Sequence, residues 1–263
     1  MKKAKKAPKP KKKAAAKKPA AKKPIEKKIE PQVFQLNEKR RVLHVGCGSK
    51  VGGSRLHKSF DRTVWDEVRL DIVPEVEPDI VADMRNMNMV KEGEFDALFS
   101  SHNIEHVFPH DVLPTLKEFH RVIKTDGYVL LTCPNLENVM KDALKKGLEN
   151  PLYNSPAGPI SALDIFYGHR ASIARGEIFM AHKTGFTDST LANYFAQAGF
   201  LDIKLAQDGY DLWVQAFKRS QRTKENSVIR FNGREDVNKM MRARDEIDQE
   251  PKIWKGLPKE LKS

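Results

Sequence analysis

The sequence predicts an α/β fold: a mostly parallel sheet covered on both faces and closed by an antiparallel pair near its C-terminal end. Three observations predict it. Short β-branched runs recur, and several stop at a glycine or an acid, as buried parallel strands do. Segments with helical spacing alternate with those runs. The last two runs flank Gln207-Asp208-Gly209, a tight turn that folds one back on the other.

The elements follow in order. Arg41–Gly46 reads as the first strand, Glu67–Asp71 as the second, Asp79–Ala82 as the third and Phe95–Ser100 as the fourth. Asp111–Ile123 has helical spacing, with Val112, Leu116, Phe119, Val122 and Ile123 on one face and Asp111 as its expected cap. Thr125-Asp126-Gly127 reads as a turn before a fifth strand, Tyr128–Cys133, which stops at Pro134. Asn135 is placed to cap a helix over Leu136–Leu148. Residues 149–185 show no clear period. Asp188–Ala198 reads as a helix ending at Gly199, and Phe200–Ala206 and Leu212–Phe217 as the final strands. Residues 219–263 are charged and read as a loosely attached helix and extended arm, so 221–263 is taken as an extension.

The net charge of +12 is unevenly placed. Residues 1–28 hold fourteen lysines against one acid, Glu26, which leaves the rest of the chain near −1. That stretch of Lys, Ala and Pro has little to bury and repels itself, so residues 1–30 are expected to be a disordered tail. Its composition resembles linker-histone tails. It suits either salt-dependent attachment to nucleic acid through residues 1–28 or simple solubilisation. Aromatic residues are absent from 1–28, which argues against base-specific reading. Cys47 and Cys133 fall in unrelated motifs, so neither a disulfide nor a zinc site is expected. With no secretory pattern and no apolar run of spanning length, a cytoplasmic protein is expected.

Val42-Leu43-His44-Val45-Gly46-Cys47-Gly48-Ser49 joins a strand to a glycine turn. Gly46 and Gly48 let the chain turn tightly and let a ligand approach bare backbone. A dinucleotide fingerprint needs a third glycine where Val51 stands, and no Gly-Lys-Ser/Thr follows for a phosphate loop. The turn therefore lacks a pyrophosphate grip. S-adenosylmethionine has no phosphate and needs none. Asp71 ends the second strand, where a carboxylate can accept both ribose hydroxyls of an adenosine. Asp83 follows the third strand and could accept from an adenine amino group, with Met84 packing on the base. Acids at the ends of consecutive strands point at one crevice.

These residues resemble the class I S-adenosylmethionine-dependent methyltransferases, in particular the type 11 group. The likeness covers about residues 40–218. It is carried by Leu43–Gly48, Val68–Asp71, Val81–Met84, Phe95–His106, Leu116–Ile123 and Asp126-Gly127-Tyr128. It implies a seven-stranded sheet with an antiparallel last strand, a methyltransferase domain over 38–220, and S-adenosylmethionine as cofactor. It also implies cofactor contacts at Gly46, Gly48, Asp71, Asp83, Met84, Ser101 and His102. Two departures stand out. Ser49–Asp66 predicts only a short or irregular helix after the glycine turn, and Ile72–Pro78 is too short for a helix.

Methyl transfer needs alignment first, and a base only where the acceptor loses a proton. His102 and His106 are the candidates, with Glu105 able to orient one of them; the alternative is that Glu105 and His106 only stabilise their loop. In this family the insertion after the fifth strand, here 151–185, usually covers the acceptor. Within it His169, Arg170, His182 and Lys183 could bind an anionic or hydroxyl-rich acceptor, or form a purely structural lid. Their spacing matches no zinc pattern, and no metal is expected. The function expected is methylation of O or N on a small-molecule or carbohydrate-linked acceptor. The alternatives are an enzyme brought by its tail to nucleic acid or a nucleic-acid-associated protein, a non-catalytic binding module, and, most distantly, a nicotinamide oxidoreductase.

Overall fold

The structure, a computed structural model, describes residues 39–51, 53–219 and 227–232. The tail expected over 1–30 lies outside them, as does most of the extension expected over 221–263. The described chain runs β1 (Arg40–Val45), β2 (Trp65–Asp71), β3 (Ile80–Val81), β4 (Phe95–Ser101), α1 (Pro109–Val122), β5 (Ile123–Pro134) and α2 (Leu136–Lys146). It continues through β6 (Pro151–Ser155), β7 (Gly158–Ser161), α3 (Ala162–Tyr167), α4 (Arg170–Ala174), α5 (Asp188–Gln197), β8 (Asp202–Asp208), β9 (Asp211–Phe217) and β10 (Ser227–Asn232).

The main sheet has the order β10-β8-β9-β5-β4-β1-β2-β3. β9 runs against both of its neighbours, β5 and β8, and every other pair in the sheet is parallel. Seven strands thus make the mostly parallel sheet with its antiparallel C-terminal strand. β10 adds an eighth at the edge, in register with β8 from Ser227↔Asp202 to Asn232↔Gln207. The extension was expected to hold a helix and an arm, so this strand corrects that expectation. It is a short edge strand set among charged residues, where strand patterning is weak.

One face of the sheet carries α1 and α5. Val112, Leu116, Phe119 and Val122 of α1 and Leu191 and Phe195 of α5 are fully buried against Leu43, Leu98, Val129 and Leu131. Each such side chain contributes about 1.5–3 kcal/mol on burial. The other face is covered differently. No helix joins β1 to β2 among the described residues, in line with the glycines and scattered apolar residues there. Instead Phe60 and Trp65 pack edge-on at 5.1 Å, and Phe60 stacks over Tyr128 at 6.2 Å, with Leu56 and Phe99 beside them. Ser54 ties this loop down by donating to both Glu67 oxygens, and the buried His44 ring meets the same carboxylate at 2.7 Å. Between β1 and β2 an aromatic loop thus covers the sheet where a helix was in doubt.

Three local expectations change. α1 starts at Pro109, with Phe108 as cap; Asp111 sits in the first turn instead, where it complements the helix dipole. β5 begins at Ile123, and pairing with β4 jumps from Phe95↔Ile123 to Ala97↔Tyr128, so Thr125-Asp126-Gly127 is a bulge in a strand and not a separating turn. Residues 149–185 are more regular than their sequence suggests: β6 and β7 form a hairpin, and α3 and α4 follow. Asn135 does cap α2, accepting from the Asn138 N–H.

Ser161 and Asp164 form a capping box on α3. The carboxylate accepts from the Ser161 N–H at 3.0 Å and its hydroxyl at 2.7 Å, and Arg170 Nε donates to it at 2.9 Å. Burial opposes the charge on Asp164, but Arg170, Ser161 and two backbone N–H groups hold its carboxyl well below the usual aspartate range. A carboxyl depressed by folding adds stability at neutral pH and loses it as pH falls below the ordinary value of about 3.9. Asp164→Asn is expected to cost about 1 kcal/mol at pH 7. Its melting temperature should also fall less steeply than wild type below pH 4. Parallel melting curves across pH 7 to 2 would contradict this.

Candidate active site

The parallel strands deliver their carboxyl ends to one edge. Val45 pairs with Leu70 and with Ser100, Asp71 with Val81, and Ser101 with Thr132. Two groups of polar residues meet along this edge.

The first group surrounds the glycine turn. Gly46 and Gly48 both adopt left-handed backbone, φ +66° and +60°. A Cβ on Gly46 would fall on the Asn103 side chain, whose amide donates to Val45 O at 3.1 Å and Ser101 O at 2.9 Å. Asn103 thus buckles the end of β1 to the end of β4. Asp71 is buried, and its Oδ2 accepts the Gly48 N–H at 2.8 Å while Oδ1 accepts from Val73 at 3.0 Å. A carboxylate offers about four acceptor positions, so two remain for hydroxyl donors. Arg69 lies buried beneath the turn and donates to the carbonyls of Gly48, Val76 and Glu77. Burial pushes the neighbouring Cys47 thiol up to about 11, which keeps it unreactive. Bare backbone at two glycines beside a carboxylate with spare acceptor capacity fits an adenosine.

Asp83 is placed differently. Its oxygens accept from Arg85 Nε at 3.0 Å, from Arg85 Nη2 at 2.6 Å and from the Arg85 N–H at 2.9 Å. Arg85 also reaches Asp111 of α1 at 3.0 Å. These bonds hold the Asp83 carboxyl below its ordinary value, and an adenine amino group there would have to displace Arg85. Met84 is half-buried against the main core, and Ser101 is half-buried at the end of β4.

The second group lines a cleft of about 200 Å³ between the ends of β4 and β5, the start of β9 and the 151–185 insertion. Its walls hold His102, Glu105, His106, Asp164, His169, His182 and Asp211, with Tyr153 and Tyr210 stacked at 5.7 Å. His102 sits at φ +54°, a strained backbone for a residue with a Cβ. Its Nδ1 lies 3.3 Å from Glu105 Oε1 and its Nε2 3.5 Å from Asp211 Oδ1. Desolvation works against its charge, but the two carboxylates outweigh it and raise the imidazole to about 9. At neutral pH His102 is a cation, able to donate hydrogen bonds and not to take a proton.

Glu105 is fully buried and held below its usual range; burial resists ionisation, and His102, His106 and His182 overcome it. Neither carboxylate oxygen has a hydrogen-bond partner, since the approach of His102 lacks the required geometry. His106 Nδ1 meets Ala181 O at 3.1 Å, and His182 Nδ1 meets Ile165 O at 2.7 Å. A carbonyl only accepts, so both rings donate from Nδ1, and in the neutral tautomer this fixes, Nε2 is the acceptor. The backbone of Lys183 and Thr184 donates to Glu105 O, which pins the insertion to this turn.

Of the residues expected to face an acceptor, His169 and His182 line the cleft. Arg170 is committed to Asp164 and Ser161, and Lys183 lies over the Phe108 ring at 4.9 Å; neither lines the cleft. Sequence reading missed Asp211, Tyr210, Tyr153 and Asp164. Asp211 had a signal: it opens the one reversed strand, so it lies opposite Pro134 at the carboxyl edge.

Residues 43–131 match the family model described as a methyltransferase domain. With the sheet described above, the match supports a class I methyltransferase fold over this part of the chain, the fold that takes S-adenosylmethionine as its cofactor. A search of curated protein sequences finds no match. Solved structures resemble it at low identity. A S-adenosylmethionine-dependent methyltransferase from Methanosarcina mazei shares 17% identity over 70% of this chain and 95% of its own, with a TM-score of 0.46. Another from Archaeoglobus fulgidus shares 16% over 68% and 86%, at 0.45. The 1,6-didemethyltoxoflavin-N1-methyltransferase of Burkholderia thailandensis, with S-adenosylhomocysteine bound, shares 15% over 70% and 73%, at 0.41. No helix among the described residues is long and apolar enough to cross a membrane.

Proposed function

We propose that this protein methylates an oxygen or nitrogen of a small molecule, a free or carbohydrate-linked metabolite, held in the cleft between β4 and the 151–185 insertion. One observation carries the reading. The chain that leaves β4 beside the glycine turn enters the cleft one residue later, so His102 borders both the cofactor residues and a cleft lined by titratable side chains. A volume of about 200 Å³ suits a small acceptor and excludes a duplex.

The cofactor, when bound, supplies an electrophilic sulfonium methyl. Gly46, Gly48 and Asp71 hold its adenosine end, with Ser101 and His102 at the end of β4. The other groups act on the acceptor. His102, as a cation flanked by Glu105 and Asp211, donates to an electron-rich atom and fixes its direction. His106 carries a free Nε2 lone pair and takes the proton that a hydroxyl or amine must lose. His169 and His182 frame the acceptor from the insertion.

Incubating the full chain with methyl-labelled cofactor and a metabolite extract tests this. Label is expected in the small-molecule fraction, with kcat reduced about 10²–10⁴-fold by His106→Gln. Label found only in nucleic acid or protein would replace this reading with one in which the lysine-rich tail recruits the enzyme. No transfer to any fraction would leave a binding module in its place.

A further inference from the structure

Glu105, His106 and His182 gather more tightly than the acceptor reading requires. One ligand atom from each lies within 4.8 Å of the other two. The carboxylate is 1% exposed, and although the His102 ring lies 3.3 Å from Oε1, neither oxygen is reached by a hydrogen bond. A buried carboxylate short of hydrogen bonds carries a desolvation cost that a bound cation offsets. Both histidines spend Nδ1 on a backbone carbonyl, which leaves Nε2 as the ring nitrogen available to a ligand. That is how metal-binding imidazoles are held: the outer N–H is anchored, and the ring is fixed in tautomer and direction.

We propose that these three residues bind a divalent first-row transition metal, with two imidazole nitrogens and one carboxylate as its protein ligands. Two histidines and a carboxylate form a recurrent set for zinc at catalytic sites, and for iron when further positions stay open. Metal–ligand bonds of about 2.0–2.2 Å bring neighbouring donors to within about 3.5 Å of each other, so the side chains close by roughly an ångström on binding. Their backbone is already braced for this, because Lys183 and Thr184 bond to Glu105 O and Ala181 O anchors His106. His102 keeps Asp211 as a partner when the ion takes Glu105.

The expectation of no metal came from sequence spacing. Glu105 and His106 are adjacent, but His182 arrives from the far end of the insertion, so the set exists only in the fold. The remaining coordination positions would face the cleft, where an acceptor hydroxyl could occupy one and release its proton to solvent more readily before its oxygen takes the methyl. In the loaded site His106 acts as a ligand, and the ion takes over its role in easing that proton away. This role rests on the methyltransferase reading above; the metal site itself does not.

Calorimetric titration of zinc alone into the chelator-treated full chain tests the site, alongside a separate titration of S-adenosylhomocysteine. One saturable zinc site per chain is expected. His182→Gln and Glu105→Gln should each weaken it beyond the ~10–100-fold that loss of an outer hydrogen-bond partner costs. Both variants should still bind S-adenosylhomocysteine. Cobalt(II) added to the wild-type chain should give visible d–d bands, which keeps the test open if a variant does not fold. Absence of a saturable site and of those bands, or zinc binding unchanged in both variants, overturns the proposal. Loss of S-adenosylhomocysteine binding by the wild type would instead overturn the methyltransferase reading and leave the metal result standing.

Discussion

Gly168→Ala is expected to be among the most damaging single substitutions in the insertion. Gly168 closes α3 with φ +92° and ψ 163°, a region that residues with a Cβ avoid. It pairs with Ala181, and an added Cβ would stand 1.9 Å from Met180 O and 2.9 Å from Ala181 Cα. Both obstacles are backbone, so no side chain can swing away. The strained φ costs about 1–3 kcal/mol, and forced overlap adds about as much again. A total of about 2–6 kcal/mol corresponds to a fall in Tm of roughly 5–20 °C. The pairing also delivers His182 to the cleft, since the His182 N–H bonds Tyr167 O at 3.1 Å. Gly158→Ala is the control: φ is +113°, but nothing lies within 4 Å of the added Cβ. Its loss should be smaller and confined to the backbone term. Thermal melts of the two variants check this, and equal losses would contradict it.

How far these features were legible depends on how local their causes are. β1, β4 and β5 were legible because each buries a run of branched or aromatic side chains on both faces, and only strands at a sheet's centre do so. β9 was legible from its turn. The tight turn at Gly46 and Gly48 and the place of Asp71 at a strand's end were legible because glycines after a β-branched run mark a turn that residues with a Cβ avoid. The hairpin and short helices of 149–185 were not legible. Four to six residues complete barely one period, although Ser161-Ala162-Leu163-Asp164 did carry a capping pattern. The commitment of Asp83 to Arg85 was hidden for another reason. The partner is two residues away, and nothing in their spacing says whether the pair faces a ligand or each other. The grouping of Glu105 and His106 with His182 required the fold to bring separate segments together.

Asp71→Ala is the second large effect, and it acts on the cofactor. This carboxylate holds the Gly48 N–H and the Val73 N–H, so it sets the shape of the turn as well as offering acceptors to a ribose. Alanine removes both contributions. Loss of charge-assisted hydrogen bonds of this kind costs about 1.5–3 kcal/mol. Asp71→Asn keeps one side-chain acceptor and should fall between wild type and alanine.

The most direct measurement is calorimetric titration of S-adenosylhomocysteine into the full chain and into Asp71→Ala. A phosphate-free adenosine seated on Gly46, Gly48 and Asp71 requires one binding event per chain in the wild type, weakened at least about tenfold in the variant. A wild-type chain that takes up none, or a variant that binds just as tightly while remaining folded, would contradict it.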